Sequence, residues 1–446
     1  MKILCVGAGG SGMAAIVRWH LALNDEVLVT DDVVGSDVLV SQYPGATAWD
    51  MDKAGKMDRI IFSDAIPAGH QLRTYAQENG FRETSFPEEL GALCVGRRVI
   101  AIAGTHGKST TTALLSWAFT SANKDPLCFI GAEIPTWQGN FRWGSGPVVV
   151  EADEYKKHFL ALHPETVIVT SLEMDHFDTY ADEKVLLETF VGFCSQPSVQ
   201  NIFIARGKPM LEDLAKALAV TKIKIVRFGE RGDLVSIDDA RYDHGNCAVS
   251  LLIDQAEIAI TYPAVTCPHL SNLAAVIAVL AAEKISVPEM QKGIATFPGI
   301  RRRMERIGSL DNVPIYSDYA HHPTAVAETL AIVKKIWPSV RIAVLFEPHE
   351  RLRTSQLRDQ YAASFADANT VGLLPVYDPV GRERRDLVGE ASQIPTGGKI
   401  AAIANYEEGF AWMKQFAVAA PSERILIIMG AGPIDGRIRK LLAVAE

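Results

Sequence analysis

Two glycine-rich turns carry the residue types that hold phosphate. Gly104-Thr105-His106-Gly107-Lys108-Ser109-Thr110 lies between the apolar run Val99–Ala103 and a helical pattern starting at Lys108. Backbone amides of such a loop cradle the phosphates of a nucleoside triphosphate, the lysine adds positive charge, and the Ser109 hydroxyl can ligate the accompanying Mg²⁺. Ile102 stands where the usual loop has its first glycine, five places before Gly107. The other turn, Gly7-Ala8-Gly9-Gly10-Ser11-Gly12, follows the strand-like Lys2–Val6, and Asp31 ends the next strand 19 residues after Gly12. That pattern brings a pyrophosphate to a helix N-terminus and a ribose hydroxyl to the acid, so it suits NAD and equally a sugar nucleotide. Two cradles imply two phosphorylated ligands, and an enzyme that joins them or transfers a group between them.

Further chemistry gathers at strand ends. Glu151, Asp153 and Glu154 follow one apolar run; Ser171, Glu173, Asp175 and His176 follow another. In parallel α/β sheets ligands bind beyond the carboxyl ends of the strands, where carboxylates suit Mg²⁺ and an imidazole suits it less. Nearer the C-terminus, His321, His322, His349 and Arg353 fall on predicted loops. Arg353 has the planar fork that recognises a carboxylate.

The elements that must place these residues alternate strand and helix, which predicts an α/β fold with parallel sheets. The expected strands are Lys2–Val6, Glu26–Thr30 and Arg59–Phe62, with Phe86–Leu93 closing the segment before Arg97-Arg98. A second series has strands Val99–Ala103, Val148–Glu151, Thr166–Thr170 and Ile202–Ala205, a helix from Lys108 to about Ser121, an antiparallel decoration over Phe228–Ile260 and a helix over Asn272–Glu283. A third runs through Pro314–Ser317, Arg341–Phe346, Val371–Leu374, Ile400–Ile403 and Ile425–Met429. Three domains, 1–97, 98–298 and 299–446, agree with 446 residues at roughly 100–200 per domain. The 44 Lys+Arg against 53 Asp+Glu, a formal charge of -9, argue against a nucleic-acid partner, so phosphate must be held locally. Six cysteines without a C-x-x-C pair give no zinc or redox framework and suit a reducing cytoplasm. No signal peptide or membrane span is expected.

Across nearly the whole chain these motifs resemble the Mur ligase family, ATP-dependent amide ligases of peptidoglycan precursor assembly. The resemblance rests on GAGGSGM near the start, SDAIP from Ser63, AGTHGKSTTT from Ala103, EADEY from Glu151, EMDHFDTY from Glu173, the cluster Arg301-Arg302-Arg303, DYAHHP from Asp318, FEPHERLRT from Phe346 and GAG from Gly430. It implies a Rossmann-like first domain for a UDP-sugar, with Gly7, Gly9, Gly10, Ser11, Gly12, Asp31 and Ser63 as its contacts. It implies a P-loop-like central domain for ATP, and a Rossmann-like third domain for the acceptor. Lys108, Glu151 and His176 would then be catalytic, and Ser109, Glu151 and His176 would hold Mg²⁺. Gly104–Thr110, Asn272, Arg303 and Asp318 would bind ATP, with His322, His349 and Arg353 facing the acceptor. The implied reaction joins the lactyl carboxylate of UDP-N-acetylmuramate to the amine of L-alanine, or of a tripeptide.

Five positions depart from the family pattern: Ser171 replaces an Asn, Leu270 a first Asn, Ser317 an Asp, Glu350 an Arg, and Pro433 the Asp after GAG. No lysine lies between Val185 and Gln200, so the carbamylated lysine of some sister ligases has no counterpart there. An NAD-dependent oxidoreductase explains the first turn but leaves the second idle. An inactive nucleotide-binding module is the remaining alternative, and the oligomeric state is open.

Overall fold

The computed structural model describes residues 1–50, 55–243, 245–266, 269–379, 394–418 and 423–445. The chain divides into two compact units, Met1–Leu172 with Leu186–Arg227, and Glu173–Val185 with Phe228–Glu446.

The first unit holds two layered α/β assemblies. A five-stranded parallel sheet runs in the order Thr47–Ala48, Glu26–Thr30, Lys2–Val6, Arg59–Phe62, Glu83–Ser85. Its core packs Leu4, Val6, Leu28, Ile60 and Phe62 against Leu72 and Ala76. The next sheet places Val99–Ala103 between Thr166–Val169 and Val148–Glu151, all parallel, so three strand ends open on one edge. Leu127–Ile134 continues that sheet and Gly139–Arg142 closes it as an antiparallel hairpin partner. The β-branched, wholly apolar runs at its centre suit strands buried on both faces. The expected closing segment is a helix, Phe86–Cys94, started by a Ser85/Glu88 capping box with proline in the first turn.

The second unit contains the antiparallel strands Val235–Asp243, Asn246–Ile253 and Ala256–Pro263. It also holds a six-stranded sheet ordered Glu305–Leu310, Val313–Asp318, Arg424–Met429, Arg341–Phe346, Thr370–Leu373, Ile400–Ala402. Only the first pair of that sheet is antiparallel. Helices on both faces bury two apolar layers, one around Val344 and Phe346 and one around Leu345 and Met413. This is the expected mixed α/β architecture. Among the strands sequence periodicity missed, Thr47–Ala48 and Glu83–Ser85 are short and Glu305–Leu310 is interrupted by the register shift next to Gly308, whereas Leu127–Ile134, Gly139–Arg142 and Lys224–Gly229 were also not expected. The five described cysteines are buried and unpaired, and Cys267 lies outside the described residues. Among the described residues no helix is long and apolar enough to cross a membrane.

Candidate active site

Gly104 and Gly107 shape the central loop. Gly104 has φ +128°, and a Cβ there would meet Thr170 Oγ1 at 2.5 Å and the Ser171 carbonyl at 2.7 Å. Gly107, at φ +82°, caps the helix Lys108–Ser121 without a side-chain bond, so the first-turn N–H groups stay open to an anion. The loop is braced from the neighbouring strand end. Ser171 Oγ accepts from the His106 N–H at 2.7 Å, and Thr170 Oγ1 donates to the His106 carbonyl at 2.5 Å. Thr105 N–H donates to the Ser171 carbonyl at 3.1 Å.

Lys108 Nζ donates to the Gly104 carbonyl at 2.7 Å and to Glu154 at 2.9 Å. Burial works against its charge, but Glu154, with Asp153 and Glu151, holds the ammonium above its usual range. Ser109 Oγ donates to Glu151 Oε1 at 3.0 Å, and the Gly131 N–H donates to Oε2 at 2.6 Å. Burial pushes the Glu151 carboxyl up, against the pull of Lys108 and these two donors. A hydroxyl and a carboxylate thus meet beside the lysine, an all-oxygen donor set that fits Mg²⁺.

The amino-terminal turn opens at the end of Lys2–Val6. Gly7 (φ +82°) approaches Ser63 so closely that a Cβ would lie 2.7 Å from the serine Cβ. Ser11 and Gly12 begin the helix Ser11–Ala22, whose cap, Gly10, adds no side-chain acceptor. Asp31 accepts from the N–H groups of Gly9 at 2.9 Å, Val33 at 2.9 Å and Val34 at 3.0 Å. Its carboxylate therefore shapes the turn itself.

His176, Asn272, Arg303, Asp318, His322, His349 and Arg353 belong to the second unit, and Lys108, Ser109 and Glu151 to the first. Asn272 is 4% exposed in the first turn of the helix Leu270–Ala282, and its side-chain amide makes no hydrogen bond among the described residues. The Arg303 guanidinium lies 5.2 Å from the Tyr319 ring centroid and is likewise without a hydrogen bond there. Asp318 accepts from the Met304 N–H at 2.9 Å and the Ala320 N–H at 2.8 Å, so it braces the turn that carries Arg303. His322 caps the helix Pro323–Ile336, accepting from Thr324 N–H at 3.3 Å. Arg353 Nε donates to Asp175 Oδ1 at 2.7 Å, and Nη1 donates to the His349 carbonyl at 3.1 Å. Burial would raise the Asp175 pKa, but Arg353, with His176, His322 and His321, holds it well below the usual carboxylate range. Burial, Arg353 and His349 hold His321 well below the usual imidazole range, and its Nδ1 faces the Tyr319 carbonyl at 2.9 Å.

Comparison with known proteins extends this geometry to a lineage. Residues 102–280 match the Mur ligase middle domain, and residues 302–432 match the Mur ligase glutamate ligase domain. The chain is 30% identical to the UDP-N-acetylmuramate–L-alanine ligase of Saccharopolyspora erythraea, over 100% of this chain and 93% of that one. The chain belongs to the Mur ligase family. It is also 29% identical to the ligase of the same name from Chlorobium phaeobacteroides, over 96% and 94% of the two chains. In fold it resembles the UDP-N-acetylmuramate-alanine ligase MurC of Thermotoga maritima, with TM-score 0.82, 20% identity and 100% and 99% coverage. It also resembles a murein peptide ligase of Psychrobacter arcticus, with TM-score 0.72, 22% identity and 99% and 98% coverage. As a member of this family the chain is an ATP-dependent ligase.

Two residues packed at this loop carried no sequence signal of their contacts. Glu154, the last acid of EADE, is the partner of Lys108. Ser171, which departs from the family pattern, takes part in holding the phosphate loop through His106.

Proposed function

We propose that the chain joins the lactyl carboxylate of UDP-N-acetylmuramate to the amine of L-alanine, cleaving ATP to ADP and phosphate. The observation that carries this reading is the meeting of Lys108, Ser109 and Glu151 at the Gly104–Gly107 loop, in a chain whose full-length relatives bear that activity's name. The nucleotide's phosphates lie along the loop amides and Lys108. The substrate carboxylate attacks the γ-phosphorus to give an acyl phosphate and ADP. The neutral amine then attacks the acyl carbon and expels phosphate.

Lys108 offsets the charge that grows on the transferring phosphoryl oxygens, and the loop amides fix their direction. Mg²⁺, held by Ser109 and Glu151, supplies further charge neutralisation when bound. Gly7 to Gly12, with Ser63, receive the UDP-sugar, and Asp31 maintains the shape of that turn. Arg353, whose Nη2 makes no hydrogen bond among the described residues, offers that edge to the acceptor carboxylate, beside His349 and His322. Domain edges near residues 97 and 298 and a cytoplasmic setting complete the reading.

The test is direct. Protein is incubated with ATP, Mg²⁺, UDP-N-acetylmuramate and either L-alanine or a tripeptide, and ADP and product mass are followed. ADP release stimulated by the UDP-sugar and L-alanine together, with product heavier by one alanyl residue, is the expected result. Product formed only with tripeptide would reassign the acceptor, and ADP release indifferent to both substrates would overturn the reaction.

A further inference from the structure

Arg302 stands in the turn between Phe297 and Glu305 and reaches across to the opposite end of the chain. Its Nη2 donates to the carbonyls of Gly430 at 2.5 Å and Gly432 at 3.0 Å. Its guanidinium carbon lies 4.8 Å from the Tyr319 ring centroid, and its own carbonyl accepts from the Tyr319 N–H at 2.7 Å. The residue sits at φ +57°, with its N–H donating to Glu305 at 3.0 Å. Two carbonyls at the end of Arg424–Met429 that turn toward one another repel. A single planar donor placed between them satisfies both and fixes the path of the loop.

That path matters because the loop has no freedom on its other side. A Cβ at Gly432 would lie 2.3 Å from Glu347 Oε2 and 2.9 Å from the Tyr377 ring, and one at Gly430 would lie 2.8 Å from the Glu347 carbonyl. Glu347 is 1% exposed, and it receives the Tyr406 hydroxyl and, at 3.3 Å, the Ile434 N–H. The Tyr377 ring packs 5.8 Å from that of His349, whose carbonyl holds Arg353 at 3.1 Å. A continuous set of contacts therefore runs from Arg302 through the Gly430–Gly432 backbone to Tyr377, His349 and Arg353.

We propose that Arg302 is a positioning residue for the acceptor: by clamping the Gly430 and Gly432 carbonyls it sets the wall against which Tyr377 and His349 stand. This rests on the reading of His349 and Arg353 as acceptor-facing. Arg302 touches neither nucleotide nor acceptor in this role, which separates it from its neighbour Arg303.

The experiment compares wild type, Arg302→Ala and Arg302→Lys in steady-state ADP release, with KM measured separately for ATP, UDP-N-acetylmuramate and L-alanine. Arg302→Ala raises the L-alanine KM at least tenfold while the other two KM values stay within twofold. Arg302→Lys keeps the charge but loses the planar fork and the stacking on Tyr319, so its L-alanine KM remains raised at least fivefold. The role is overturned by an L-alanine KM within twofold of wild type in both variants, by an equal rise in the ATP KM, or by both variants being unfolded by circular dichroism at the assay temperature. A wild type whose ADP release ignores L-alanine and tripeptide alike overturns the proposed reaction and this role with it. A responsive wild type whose variants keep an L-alanine KM within twofold of it overturns the role of Arg302 alone.

Discussion

Lys108 Nζ lies 2.8 Å from one carboxylate oxygen of the buried Glu154 and 2.9 Å from the other. In the free protein, the lysine proposed to meet the phosphates of ATP is therefore already paired, and it is held in place by the Gly104 carbonyl as well. On that proposal, nucleotide phosphates enter a site whose cation is already oriented.

Lys108→Ala is expected to lower kcat by about 10²–10³-fold, the usual loss when one donor to a developing charge is removed. Lys108→Arg does not rescue it, because a planar fork does not replace a compact ammonium between Glu154 and the loop carbonyl. Steady-state ADP release checks both variants.

Glu154→Gln removes the nearest counter-charge of the Lys108 ammonium, leaving Asp153 and Glu151, and should destabilise the free protein by about 1–3 kcal/mol. Saturating ATP supplies replacement charge, so the difference in melting temperature from wild type narrows when ATP is added. Thermal melts with and without nucleotide measure it, and an unchanged gap would remove Glu154 from the nucleotide site.

Ser171→Ala removes the acceptor of the His106 N–H and one donor to the His106 carbonyl. Losing a hydrogen bond at a part-buried amide costs about 1–1.5 kcal/mol. Because that cost falls on the phosphate loop, the ATP KM should rise roughly tenfold, by the same free-energy conversion, with the UDP-sugar KM unchanged.

Gly104→Ala places a methyl group within 2.5 Å of Thr170 Oγ1, at a φ of +128° that disfavours any L side chain. The loop must leave its braced position. Isothermal titration should show ATP binding lost while the far-ultraviolet circular dichroism of the protein is kept.

The Asp175–Arg353 pair sets a pH dependence. The Asp175 pKa lies below its unfolded value of about 3.9. Its contribution is therefore present above that value and is lost as pH falls through the lower folded one. Asp175→Asn leaves the buried Arg353 guanidinium with Glu350, at 3.6 Å, as its remaining acidic partner and should cost about 1–3 kcal/mol near neutrality. The melting-temperature gap between wild type and variant should be widest at neutral pH and shrink in acid.

The geometry of the Gly104–Ser109 turn was legible in the sequence because such a turn is local. Gly104, Gly107, Lys108 and Ser109 act through the backbone of one turn and the first turn of the helix that follows, so their order along the chain already encodes their arrangement. The strands Lys2–Val6, Val99–Ala103 and Arg341–Phe346 were equally plain, since apolar β-branched runs bounded by turns have few other ways to be buried. Pairings made through side chains from distant strand ends were not legible. Glu154 meets Lys108 across 46 residues, Ser171 meets His106 across 65, and Arg353 meets Asp175 across 178. Such contacts depend on strand order and register. Only the folded sheets decide which acid neutralises the lysine, which hydroxyl braces the loop and which carboxylate holds the arginine.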